Sequence, residues 1–234
     1  MNVQEDCRIS ERTALATATA VVVANYFNIS IFQPFWIVKN GILREDEISS
    51  NMLVSPGVIV FPTDHFELTI LPERIQMRFN PNGYATAQED LNRVIGGIVK
   101  VLPHTPYAAM GFNYDFRISQ PAGAEFAKWN RDLFVSRASS EITDASDADA
   151  RFGCYVSFNS LGGRMKINIL PLRESRVTAT PSGTSSSETE AVHVAVNLHR
   201  DIAQPPAIDA MMGALARWEQ AFDLSSKLMR KIES

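Results

Sequence analysis

Asn25-Tyr26-Phe27-Asn28-Ile29-Ser30-Ile31-Phe32-Gln33-Pro34 is echoed later in the chain by Asn113-Tyr114-Asp115-Phe116-Arg117-Ile118-Ser119-Gln120-Pro121. In each copy an Asn-Tyr pair in strand-like sequence gives way to Gln-Pro. That is the mark of a strand handing over to a helix, because proline suits a helix's first turn. Alternation places Tyr26 and Tyr114 on the core side and Asn25 and Asn113 on the open side. Two such handovers point to a chain built from two similar halves.

The first half reads as a strand over 16–27, rich in β-branched residues, then a short helix over 33–41 closed by Gly41. Strands follow at 58–61, 66–71 and 75–79. Phe66, Leu68, Ile70, Ile75, Met77 and Phe79 alternate with Glu67, Thr69, Arg74, Gln76 and Arg78, so one face of this meander is wet. Thr86 and Glu89 have capping-box spacing. Leu91, Val94, Ile95, Ile98, Val99 and Leu102 form the apolar stripe of a helix. Gly96-Gly97 inside it costs about 1 kcal/mol per glycine relative to alanine, which close approach of another element would explain.

The pattern then restarts. Met110, Phe112, Tyr114, Phe116 and Ile118 alternate with Gly111, Asn113, Asp115 and Arg117. A helical insert over 120–134, an acidic loop over 138–150 and a strand over 152–158 come next. Leu161-Gly162-Gly163-Arg164 makes a tight hairpin turn into a strand over 165–170. Residues 174–190 are Ser/Thr-rich with almost no apolar content and read as a floppy loop. A strand over 192–198 precedes one helix over 206–232, about 40 Å long. The fold class predicted is α+β. Each half runs strand, short helix, three-strand antiparallel meander, long helix, and the halves share one antiparallel sheet with helices on one face. Residues 1–15 read as a loose tail, 16–103 as the first half and 104–234 as the second.

Composition narrows the function classes. The 234 residues are 45% apolar and 21% charged with a net charge of −4, as in ordinary globular proteins. Cys7 and Cys154, far apart, form no disulfide framework, and the simplest compartment is a reducing cytoplasm, in a bacterial or phage-like style of protein. The apolar run over 14–24 is preceded by Glu5, Asp6 and Glu11 beside Arg8 and Arg12, unlike a secretory leader. No apolar run reaches the ~20 residues a membrane helix needs, so no membrane partner is expected.

Catalytic and metal signatures are weak. His193 and His199 share a strand face but lie roughly 20 Å apart, too far to hold one ion. Asp144, Asp147 and Asp149 lack the calcium-loop pattern. Cys154, in phase with Phe152, Val156 and Phe158, reads as a core thiol. Asp64-His65 reads as turn chemistry rather than a catalytic dyad. Nucleotide-binding glycine patterns are missing. The expectation is therefore no metal, no cofactor and no catalytic residue.

Two surfaces remain as candidates. The sheet's polar face gathers Arg74, Arg78, Arg117, Arg164 and Lys166 against Glu67 and Asp115, with Tyr155, Asn168, His193, Asn197 and His199. Such a face could bind an anionic ligand, a peptide or nucleic acid. Of the opening echo, Asn25 and Asn113 alone keep a place there. At the chain's end Leu228, Met229 and Ile232 would project beyond the sheet to meet a protein partner or a second copy. The leading expectation is a non-catalytic binding or assembly protein working through protein–protein contacts. Nucleic-acid or polyanion binding by the polar face, or an enzyme site between the halves, are the alternatives.

The element order resembles the duplicated fold of the TATA-binding protein family, a likeness of architecture that does not imply DNA binding. Pro34-Phe35-Trp36 and Trp218-Glu219-Gln220-Ala221-Phe222 look like features of a scattered group of uncharacterised bacterial proteins, over most of residues 16–232. That resemblance implies a fold and no activity.

Overall fold

The structure, a computed structural model, describes residues 8–134, 150–180, 183–203 and 208–233, with backbone alone at 176–180, 183–185 and 187. Strands β1 (Thr13–Ala24), β2 (Leu53–Val54), β3 (Ile59–Pro62), β4 (Phe66–Ile70), β5 (Arg74–Phe79), β6 (Tyr107–Ser119), β7 (Cys154–Ser160), β8 (Gly163–Thr180) and β9 (Gly183–Asp201) form one antiparallel sheet. Its order is β2-β3-β4-β5-β1-β6-β9-β8-β7. β1 and β6 meet at the centre. Outward from them run β5, β4, β3 on one side and β9, β8, β7 on the other, so the order is the same read from either half, apart from the two-residue β2.

Helices α1 (Pro34–Lys39), α2 (Ala87–Val101), α3 (Phe126–Phe134), α4 (Ile208–Leu215) and α5 (Trp218–Glu233) complete the fold. The alternation seen in the sequence decides which sheet face they cover. Ala18, Ala20, Val22, Met77, Phe112, Tyr114, Ile167 and Val196 are buried in one core with Ile37, Leu91, Val94, Ile98, Met211, Leu215 and Met229 of the helices. Trp218 locks α5 onto the centre of the sheet. Its ring packs on Phe79, Phe112 and Tyr114 with centroids 4.9–5.1 Å apart. The buried Tyr114 hydroxyl donates to its carbonyl at 2.9 Å. Each such ring pair adds about 0.5–1.5 kcal/mol beyond area burial. Burial also pushes the Tyr114 phenol well above its ordinary pKa. The glycine pair in α2 is explained: a Cβ on Gly96 would stand 3.1 Å from the Met212 terminal methyl of α4.

Several expectations are corrected. β1 occupies Thr13–Ala24, not 16–27, so the chain is already sheet where a loose tail was expected. A β-bulge between Leu15 and Thr17 shifts its phase. Asn25 and Tyr26 lie past its end, and Tyr26 is 61% exposed rather than on the core side. Thr86 makes no capping bond; its hydroxyl donates to Asp90 Oδ2 at 2.9 Å instead. The second insert becomes helical at Phe126, several residues beyond Gln120-Pro121. The acidic loop lies outside the described residues, Ala150 excepted.

The loop expected over 174–190 is a two-stranded arm. β8 and β9 stay paired from Arg173↔Glu190 to Thr180↔Gly183. A ribbon flanked by neither β6 nor β7 needs no apolar content, and its Thr and Val residues suit extended backbone. The single long helix is two, with Ala216 and Arg217 between α4 and α5. That break lets α4 lie against α2 while α5 crosses β1 and β6. Finally, β7 is a sheet edge, so Cys154 is only half-buried.

Candidate functional site

Pairing register fixes which side chains share the polar face. One row reads Thr69, Gln76, Val21, Gly111, His199, Arg164, Asn159 from β4 across to β7. The next reads Glu67, Arg78, Thr19, Asn113, Asn197, Lys166, Ser157. A third reads Thr17, Asp115, Ala195, Asn168, Tyr155. The sheet thus gathers Arg74, Arg78, Asn113, Arg117, Tyr155, Arg164, Lys166, His193 and His199 on one side. Asn25, beyond the end of β1, is not among them; its backbone N–H donates to the Pro106 carbonyl.

Most of these groups are engaged with one another. Arg78 pairs with Glu67 at 3.4 Å. Arg117 pairs with Glu174 and reaches Thr189 Oγ1 at 3.2 Å. Asp115 accepts from Thr17 Oγ1 at 2.5 Å and lies 3.2 Å from His193 Nε2. Asn197 donates to Asn113 at 2.7 Å, and His199 meets Asp201 at 3.1 Å. Arg164 spans to β7, donating to Ser157 Oγ at 2.7 Å and Asn159 Oδ1 at 3.2 Å. Among the described residues Arg74, Arg164 and Lys166 enter no ion pair. The positive excess expected for the whole face therefore contracts to Arg74 on β5 and to the β7–β8 margin, where Arg164 and Lys166 lie side by side.

That margin also carries exposed apolar surface. Tyr155 is 62% exposed, Leu170 47% and Val156 44%. Tyr155 and Leu170 face the polar side, while Val156 and Phe158 face the helix side at its rim. Burial pushes the Cys154 thiol pKa up, which suits an apolar rim rather than a reactive thiolate. Among the described residues the chain's end offers no such surface. Met229 is fully buried, and Leu228 and Ile232 pack on the same core. Because α5 lies on the sheet rather than projecting, Glu233 instead ties down the start of β1, accepting from Thr13 Oγ1 at 2.7 Å and from Ser10.

One polar cluster escaped the sequence reading. Arg93 of α2 grips Glu47 through two bonds of 2.9 Å, Asp90 at 2.7 Å and the Ile42 carbonyl at 3.0 Å. Burial opposes the Arg93 charge, yet the bonds to Asp90 and Glu47 outweigh it and hold its pKa above the ordinary value. Asp90 in turn lies 3.4 Å from His65 Nδ1. The carboxylate beside His65 is thus Asp90, not its neighbour Asp64. His65, Arg44 and Glu47 line a cleft of about 490 Å³. The cluster's carboxylates are spent on Arg93, Arg44 and Thr86, so it serves to clamp the 45–47 turn and the β3–β4 hairpin to α2. The signal available in sequence was the i, i+3 pair Asp90–Arg93.

Among the described residues no three His, Cys, Asp or Glu side chains converge on a position that would hold a metal ion, and no helix is long and apolar enough to cross a membrane. No protein-family model matches the chain. No curated protein matches it either.

Proposed function

We propose that this chain is a binding or assembly protein that works through protein–protein contacts, in a cytoplasmic setting, and that its contact surface is the β7–β8 margin. The observation that carries this reading is the edge strand itself. Cys154-Tyr155-Val156-Ser157-Phe158-Asn159-Ser160 has no charge and no proline, the devices that normally protect a sheet edge from pairing. The opposite edge is protected, with β2 only two residues long and Pro62 ending β3. The same margin exposes Tyr155 and carries Arg164, two of the residue types that anchor interfaces, while Val156 and Leu170 add exposed apolar area. The symmetric sheet order supports a further part of the reading, that the two halves arose by internal duplication.

Affinity capture with the whole chain as bait tests the surface. Tyr155→Lys/Val156→Lys should lose one or more species retained by the unsubstituted chain, with circular dichroism unchanged. Identical capture by both would refute the β7–β8 margin as the contact surface. Polyanion binding is the weaker reading, since two of the face's cations are already paired; it requires salt-sensitive binding that Lys166→Glu abolishes.

A further inference from the structure

We infer that β7 accepts an extended acidic peptide segment of a partner protein as an additional strand; this rests on the binding reading above. The hairpin geometry identifies the groups it would use. Leu161 and Gly162 have φ of 52° and 74°, the pair of positive values that defines a two-residue type I′ turn. In that turn Ser160 and Gly163 form a hydrogen-bonded pair, and bonding alternates along the ladder from there. The N–H and C=O groups of Ser160, Phe158, Val156 and Cys154 therefore face β8. Those of Tyr155, Ser157 and Asn159 face outward, and among the described residues no backbone group pairs with them. An antiparallel segment would take up about six hydrogen bonds there.

Side chains set the partner's chemistry. On the polar side an added strand runs beside Tyr155, Ser157 and Asn159, with Arg164 lying across them from β8 and Lys166 next to it. Those two cations face no carboxylate of β7 or of the β8 stretch paired with it. On the helix side the strand meets Val156 and Phe158. The complementary sequence alternates acidic and apolar residues at a period of two. A second copy of β7 suits the site less well. It carries no carboxylate, and an antiparallel two-fold pairing centred on Ser157 would bring two Arg164 guanidinium groups together.

Phage-displayed random dodecapeptides selected against the full chain provide the test. The expected winners carry Asp or Glu at alternate positions with apolar residues between. Binding should weaken at least tenfold on Ser157→Pro, which removes an outward N–H together with the hydroxyl that Arg164 bonds. Should that variant fail to fold, Arg164→Glu/Lys166→Glu is expected to give the same loss without altering the backbone. No enrichment, enrichment of basic or non-alternating peptides, or binding indifferent to these substitutions would overturn the inference. So would a dimer in sedimentation whose formation competes with the selected peptides, because the occupant would then be a second copy. Retained capture of a partner through Tyr155 and Val156 in any of those cases would leave the binding reading standing.

Discussion

Replacing Arg93 by Met removes the guanidinium while keeping an unbranched stem beside Phe66, whose ring the Arg93 head group lies over at 5.9 Å. What is lost is the partner of two carboxylates. Glu47 and Asp90 side chains are each only 10% exposed, against 26% for Arg93. Breaking a buried ion pair by deleting one partner costs about 3–5 kcal/mol, and partial solvent access to Arg93 places this case lower, at about 2–3 kcal/mol. Urea unfolding followed by circular dichroism measures it as a shift in midpoint at constant slope. Adding Glu47→Gln discharges a carboxylate that Arg44 alone then holds, so the double variant should be more stable than additivity allows by about 1 kcal/mol. A loss below about 1 kcal/mol for Arg93→Met, or strict additivity in the cycle, would refute the view that this cluster clamps the turn and hairpin to α2.

Glu233 gives a pH signature. Burial opposes its charge, but bonds from Ser10 and Thr13 and the Arg12 charge hold its pKa below the ordinary value. A depressed carboxyl stabilises the fold above its unfolded pKa of about 4.3 and loses that contribution as pH falls through the folded value. Glu233→Gln should therefore cost about 1 kcal/mol at neutral pH, a gap that closes in thermal melts run towards pH 3. Glycine contacts separate two alanine substitutions in chemical denaturation. A Cβ on Gly97 meets only Ile42 Cγ1 at 3.5 Å, so Gly97→Ala should stabilise α2 by about 0.5–1 kcal/mol. A Cβ on Gly83 would fall 2.1 Å from the His65 carbonyl oxygen, so Gly83→Ala should cost at least about 1–3 kcal/mol. Replacing 175–188 by an Asn-Gly turn should leave the melting temperature of the remainder nearly unchanged, because among the described residues the backbone of that part of the arm pairs only with itself.

The strands were legible wherever one face is buried and the other wet, as at Phe66–Ile70 and Arg74–Phe79, because burial imposes the period of two directly on the residues. The same rule failed at Tyr26, since alternation does not say where a strand stops and a bulge resets its phase. The arm was misread because apolar content reports burial, and a ribbon without a core has none to report. The break at Ala216-Arg217 left no mark, both residues being good helix formers; only packing of α4 on Gly96 and of Trp218 on Tyr114 requires it. For the polar face, sequence identified the members but not their pairings. Arg117 meets Glu174 across β9, a contact that depends on β8 continuing where a loop was expected.

Amide exchange along β7 in the free chain, resolved residue by residue by NMR, tests the open edge most directly. The account requires alternation: slow exchange at Val156 and Phe158, whose N–H groups bond β8, and fast exchange at Tyr155, Ser157 and Asn159, whose N–H groups face outward. Uniform protection of all five would show that the edge is already occupied within the chain and would contradict the account.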